Sequence, residues 1–301
     1  MNILILGGHG FIGSHIIEEL MAAGHTLRVF ARKPAEFQHT AEWFAGDFLD
    51  AGKLSEALVD MDAVVHCVST TVPATSVSDP IYDIESNLIG TVKLLQLMQS
   101  HGVFRLIYLS SGGTVYGNPH SNPISESSPL NPISSYGAVK VAIEKFIDIS
   151  KTNWGVQPVI LRPSNPYGER QGHKGAQGLI STVLNNVINC RPTVIYGDGT
   201  ATRDYIYVKD VAKLVCNVLA SDRCGVYNVG SGMGFTINQI IETIESVTGL
   251  TVHKQYREKR GFDVRKIILD CSRAEKSFGW KASEPLSSGI KKQFDWLKKY
   301  K

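Results

Sequence analysis

No apolar run in this 301-residue chain is long enough to cross a bilayer, so no segment reads as a membrane span. The chain also lacks a charged start followed by a short cleavable apolar stretch. An apolar strand pattern opens at once with Asn2-Ile3-Leu4-Ile5-Leu6, and the expectation is a cytoplasmic protein with no membrane partner. Cysteine is sparse. The five thiols stand at 67, 190, 216, 224 and 271, odd in number and without CxxC spacing, which argues against a disulfide framework and against a zinc site. No metal is expected. Runs of one charge are sparse too. Thirty-one basic residues face 28 acidic ones, and the dense basic run is the short tail Lys298-Lys299-Tyr300-Lys301, so no nucleic-acid partner is expected. Repeats and low-complexity stretches are absent.

What is present is alternation. Short apolar runs at 2–6, 27–31, 62–68, 104–110 and 156–162 read as buried strands. Between them lie helical patterns: Ile12, Ile16, Ile17, Leu20 and Met21; then 81–100, with Ile84, Leu88, Val92, Leu95 and Met98 on one side; then 135–151. Strands alternating with helices predict an α/β fold, a Rossmann-type doubly wound parallel sheet covered on both faces. After Arg162 the pattern loosens. The Pro-, Gly- and Asn-rich stretch 163–178 reads as a long functional loop, followed by helices over 179–189 and 208–221 and an apolar run at 226–229. Thr236 with Gln239, and Ser272 with Glu275, have capping-box spacing, and Gly279 reads as a helix stop. The expected division is a dinucleotide-binding domain over 1–165, completed by elements from 205–230, and a smaller mixed α/β substrate lobe over 166–301.

Gly7-Gly8-His9-Gly10-Phe11-Ile12-Gly13 falls between the first strand and the first helix with GxxGxxG spacing. Glycines there permit a tight turn and let backbone N–H groups approach a pyrophosphate at the helix N-terminus. The second strand should end in the residue that selects the cofactor, since an acid there bonds the ribose hydroxyls of NAD. The chain reads Phe30-Ala31-Arg32-Lys33 instead. Ala31 makes no such bond. Arg32 either pairs with the 2′-phosphate of NADP or is, with Lys33, a solvated surface charge. Asp47 follows another strand and is placed to reach the adenine.

Tyr136-Gly137-Ala138-Val139-Lys140 puts a phenol and an ammonium at i and i+4, on one side of a helix. An adjacent ammonium favours the phenolate, and such a phenol exchanges protons with a sugar hydroxyl near neutral pH. Alone, this spacing is also common on plain surfaces. Here it follows the hydroxyl-rich run Ser110-Ser111-Gly112-Gly113-Thr114 at the end of a strand, where open α/β sheets bind ligands.

With these motifs the chain resembles the extended short-chain dehydrogenases, and within them the nucleotide-sugar epimerases and dehydratases. The likeness continues through Leu161-Arg162-Pro163-Ser164-Asn165-Pro166-Tyr167-Gly168, through 197–211 around Arg203, Asp204 and Tyr205, and through Tyr227-Asn228-Val229-Gly230 and Arg260-Gly261-Phe262-Asp263. The resemblance implies a nicotinamide cofactor and favours NAD, while Ala31-Arg32 keeps NADP open; the residues expected to hold it are Gly7, Gly10, Phe11, Ile12, Gly13, Arg32, Asp47, Phe48, Val68, Tyr136, Lys140 and Pro163. It implies Tyr136 as acid/base with Lys140 as its partner, and a sugar nucleotide held by Asn165, Arg203, Arg260 and Asp263. It also implies a homodimer. The chain departs from the pattern at Ala31 and at Gly112, where the epimerases carry Ser or Thr. Ser111, or else Thr114, must then supply the hydroxyl that meets the reacting sugar oxygen. Dehydratases carry an Asp-Glu pair where Gly113 and Thr114 stand, so dehydration is disfavoured. The expectation is a UDP-hexose 4-epimerase. An NADPH-dependent 4-ketoreductase is the alternative, and a non-catalytic cofactor-binding regulator is a third reading that the Tyr136–Lys140 pair speaks against.

Overall fold

In a computed structural model, residues 1–35, 37, 39–171, 178–258 and 264–300 are described. Two compact units share the chain. Met1–Gly117, Leu130–Arg162 and Ala212–Tyr227 form one; Asn118–Pro129, Pro163–Val211 and Asn228–Lys301 form the other.

The first unit carries a seven-stranded sheet: β1 (Asn2–Leu6), β2 (Thr26–Ala31), β3 (Glu42–Ala45), β4 (Ala63–His66), β5 (Arg105–Leu109), β6 (Gln157–Pro163) and, at the far edge, β10 (Gly225–Val229), in the order β10-β6-β5-β4-β1-β2-β3. The pairs β3–β2, β2–β1, β1–β4, β4–β5 and β5–β6 are all parallel. The fold is the expected Rossmann-like one, and the chain reverses its direction of travel between β1 and β4. Helices α1 (Phe11–Ala22), α2 (Ala51–Ala57), α3 (Pro73–Ser76), α4 (Pro80–Asp83), α5 (Gly90–Ser100) and α6 (Ser135–Trp154) connect the strands. Alternate strand residues bury on opposite faces. Leu4, Leu6, Val64, Leu106 and Ile160 pack with Leu54 of α2, Leu94, Leu95 and Met98 of α5, and Val139, Ile143 and Ile147 of α6. On the other face, Ile5, Val29 and Ile17 of α1 close around Gly8.

The expected helix over 81–100 is three pieces. A π-helical segment at Ile84–Ile89 separates α4 from α5. Its inward side is polar: Asp83, Ser86, Asn87 and Thr91 are buried, whereas Ile81, Ile84 and Ile89 are exposed. Asn87 Nδ2 donates to Asp83 Oδ1 (2.9 Å), and the Thr71 hydroxyl donates to the same carboxylate oxygen (2.6 Å). These buried bonds set the register that the apolar stripe alone misassigns.

The second unit holds β7 (Asn165–Tyr167), which falls inside the stretch expected to be loop, and β9 (Thr202–Tyr207), β11 (Gly234–Thr236) and β13 (Lys266–Ile267) around it. The strands β8 (Thr193–Tyr196) and β12 (Lys254–Arg257) form a separate parallel pair. Helices α7 (Leu179–Ile188), α9 (Ile237–Thr248) and α11 (Leu286–Lys299) supply Val183, Leu184, Ile240, Ile244, Ile290 and Phe294 to a core with Tyr167, Tyr205 and Tyr207. Helix α10 (Ser272–Phe278) is also in this unit, whereas α8 (Val208–Leu219) belongs to the first unit from Ala212 on. The Thr236–Gln239 capping box forms in both directions at 2.9 and 3.1 Å. The Ser272–Glu275 box does not. Ser272 is already helical, and its N–H is taken by the Asp270 carboxylate at 2.9 Å. Gly279 ends α10 in the left-handed conformation, as expected. All five cysteines are free. Among the described residues, no helix is long and apolar enough to cross a membrane.

Candidate active site

The first unit gathers most of the expected site residues along the carboxyl ends of its parallel strands. At the end of β1, Gly7 adopts φ +74° and its N–H donates to Phe30 O at 3.3 Å. A Cβ at Gly7 would lie 3.0 Å from Val68 N, and one at Gly13 only 2.6 Å from Gly7 O. The loop is therefore packed at backbone distance against the strand that follows the reversal. Gly10 caps α1 without any side-chain cap, and Phe11 and Ile12 open the helix. No side chain caps the first-turn N–H groups, which fits a dinucleotide pyrophosphate. Asp47 is exposed past β3, with Oδ1 accepting the Leu49 N–H at 3.0 Å. Phe48 is buried against Gly90 and lies 5.0 Å from the His66 ring.

Beyond β5 the chain turns through 110–117 and meets α6. Ser134 caps α6 by accepting the Gly137 N–H at 3.2 Å. Gly137 is needed there, since a Cβ would come within 2.9 Å of Thr114 O and of Pro132 Cβ. Tyr136 is partly buried, and its N–H donates to Ser76 Oγ at 3.2 Å. Lys140 is almost wholly buried. Its Nζ donates to Leu109 O (3.1 Å) and lies over the rings of Tyr108 (4.9 Å) and Tyr136 (5.6 Å). Burial brings its ammonium down to about 8, against the attraction of Cys67, Asp83 and Glu144. The Tyr136 phenol, expected to be lowered by the lysine, is instead raised. Burial outweighs the pull of the Ser69 side chain, and Asp83 raises it further.

Among the described residues, the two candidate hydroxyls have no hydrogen-bond partner. Thr114 Oγ1 is buried without a hydrogen bond, and the Ser111 hydroxyl makes none among the described residues. Ser110, by contrast, is committed: its hydroxyl donates to Glu144 Oε1 at 2.5 Å. Glu144 also receives Arg162 at Nε (3.0 and 3.2 Å) and Nη2 (2.5 Å), while Arg162 Nη1 donates to the Tyr116 hydroxyl at 2.8 Å. This buried, multiply bonded pair fixes α6 to the 110–117 turn. Glu144 is a site-positioning residue the sequence reading passed over. Its signal was available, because 136, 140 and 144 share one face of α6. Ser69 and Asp83 were also missed, and nothing in local spacing marks them.

The second unit is built separately around Asp204. Asn165 on β7 pairs in register with Tyr205 on β9, and its Nδ2 donates to Asp204 O at 2.9 Å. Arg203 lies two residues before Tyr205 and so projects to the same face as Asn165. Its Nη1 donates to Thr202 O at 2.9 Å. The buried Asp204 carboxylate, not anticipated, accepts from Ser164 Oγ (3.2 Å) and from Ser231 N and Oγ (both 2.8 Å). Pro163 is the last residue of β6. Arg260 and Asp263 lie outside the described residues. Among the described residues, no three His, Cys, Asp or Glu side chains converge as metal ligands.

A reversing parallel sheet, a glycine cradle at the reversal and a Tyr–Lys pair at the next strand end define a dinucleotide-binding α/β protein. The chain belongs to the NAD dependent epimerase/dehydratase family, whose model matches residues 3–230. It is 35% identical over 303 residues to a putative UDP-glucose 4-epimerase of Methanocaldococcus jannaschii, covering 98% of each chain. It is 32% identical to a dTDP-4-dehydro-6-deoxyglucose reductase of Escherichia coli, covering 97% of this chain and 96% of the relative. Among solved structures, a UDP-glucose 4-epimerase of Thermotoga maritima with UDP-glucose superposes with a TM-score of 0.94 at 31% identity, covering 100% of this chain and 99% of that one.

Proposed function

We propose that the protein is a UDP-hexose 4-epimerase that oxidises C4 of its substrate transiently and reduces it again on the other face. The observation that supports this reading is the Tyr136–Lys140 pair on α6, bonded through Lys140 to Leu109 O at the end of β5, where the following turn carries the Ser111 and Thr114 hydroxyls without hydrogen bonds among the described residues. Gly7, Gly10 and Gly13 with the start of α1 would hold the dinucleotide, and Val68 and Lys140 would line its further course. When bound, the nicotinamide supplies reversible hydride acceptance. Tyr136 takes the proton from the C4 hydroxyl and returns it, and Ser111 or Thr114 hydrogen-bonds the same oxygen. Lys140 stabilises the phenolate form of Tyr136 that takes up this proton. Asn165, Arg203, Arg260 and Asp263 are assigned to the nucleotide end, with the arginines suited to the diphosphate. The same reading makes 1–165, completed by elements from 205–230, the cofactor domain and the rest of 166–301 the substrate lobe. It also carries a homodimer, supported by exposed Ile81, Ile84, Ile89, Phe146 and Ile149 in the first unit.

Tyr136→Phe tests the assignment. The variant should lose turnover by at least about a hundredfold while binding the dinucleotide as before. An active Phe variant sinks it.

Two observations favour a second reading, an NADPH-dependent 4-ketoreductase. The raised Tyr136 phenol suits a proton donor, and Ala31-Arg32 replaces the acid that NAD needs. Stoichiometric NADPH oxidation that requires a 4-keto sugar would decide for it.

A further inference from the structure

Resting on the cofactor reading above, we propose that the adenosine end of the dinucleotide site is built for a 2′-phosphate, so that the protein takes NADP(H) in preference to NAD(H). NAD is held by a carboxylate at the end of β2, which bonds two ribose hydroxyls and repels a phosphate. Here Ala31 ends β2 and offers a methyl group. The backbone is pinned at that point. Ala31 O accepts both the Gly46 N–H (3.3 Å) and the Trp43 indole N–H (3.0 Å). Arg32 and Lys33 follow immediately. Both are exposed, and neither makes an ion pair among the described residues.

The glycine loop converges on the same place. His9 lies within it, and its Nδ1 bonds Lys33 O at 2.7 Å. A carbonyl only accepts, so His9 carries its proton on Nδ1 in this bond, and its Nε2 faces His39 Nε2 at 3.2 Å. His9 and His39 thus meet beside the Lys33 backbone, and Arg32 and Lys33 are the exposed cations that directly follow β2 at this point. Among the described residues, the Asp47 carboxylate that follows β3 accepts the Leu49 N–H. NADP differs from NAD by one dianionic group on the ribose. A guanidinium meets that group bidentately, and an adjacent ammonium adds charge without geometry.

The test titrates the full-length protein with NADP+ and with NAD+, and identifies the dinucleotide that acid releases from the freshly purified protein. NADP+ should bind at least about tenfold more tightly, as one charge-assisted contact implies. The gap should narrow at high salt, because the cations are exposed. The double variant Arg32→Ala/Lys33→Ala should close the gap by weakening NADP+ alone, and Ala31→Asp should reverse the preference. Equal or tighter binding of NAD+ by the unmodified protein overturns the proposal, as does a double variant that keeps the gap. Binding of neither dinucleotide overturns the cofactor reading itself, and this inference with it, so the two failures are distinguishable.

Discussion

His66 ends β4 in full burial, and that burial, with the positive charge of Lys140 beside it, lowers its imidazole to about 3. The Val68 N–H donates to Nδ1 at 3.3 Å, so the proton sits on Nε2, which bonds Thr91 Oγ1 at 3.0 Å. The neutral ring thus orients Val68 against Gly7. Unfolded, the same ring takes a proton below its ordinary 6.5, so the unfolded state binds more protons there. The contribution to stability is full above 6.5 and is lost as pH falls toward 3. Between pH 6.5 and about 5, the ring should account for a loss of about 2 kcal/mol. Denaturant unfolding of the protein and of His66→Gln at both pH values checks this: the variant should show the flatter acid limb, and parallel limbs would contradict it. Tyr136 and Lys140 were legible because helical spacing puts them together within five residues. His66 and Asp204 were not, because their partners Thr91, Ser164 and Ser231 lie 25 to 40 residues away, and Ser69 and Asp83 have no spacing motif that marks them.

At the scale of elements, the join between α6 and the 110–117 turn is held by Gly137 against Thr114 O and by Glu144 with Ser110. Tyr136 is aimed by Gly137, whose missing side chain lets the helix close on Thr114. Gly137→Ala would drive a methyl into a backbone carbonyl and a proline ring. It should cost about 1–3 kcal/mol of stability through overpacking. It should also lower kcat by about tenfold or more by displacing the adjacent Tyr136 phenol. Steady-state kinetics beside denaturant unfolding separate the two effects, and unchanged kcat would mean that the join does not position Tyr136. The strands of the first unit were legible because buried parallel strands are continuous apolar runs. The helix over 81–100 was legible only in part. Its apolar stripe is genuine from Leu94 to Met98, but upstream the Asp83–Asn87–Thr71 bonds turn polar residues inward. Periodicity does not register a buried polar network.

At the scale of the whole molecule, alternating strands and helices announce the seven-stranded sheet, and the glycine loop marks its reversal. The second unit escaped this kind of reading. The central strand β9 pairs with β7, β11 and β13, three short segments scattered from residue 165 to 267, and none has a clear alternation of its own. Its candidate residues emerged from resemblance rather than from pattern. The central claim is that one site removes and restores the hydrogen at C4 without exposing it to solvent. The direct measurement is proton NMR of the purified protein in D2O with UDP-galactose or UDP-N-acetylgalactosamine and no added dinucleotide. The account predicts conversion of at least one to its C4 epimer with protium retained at C4. No interconversion, or deuterium appearing at C4, would contradict it.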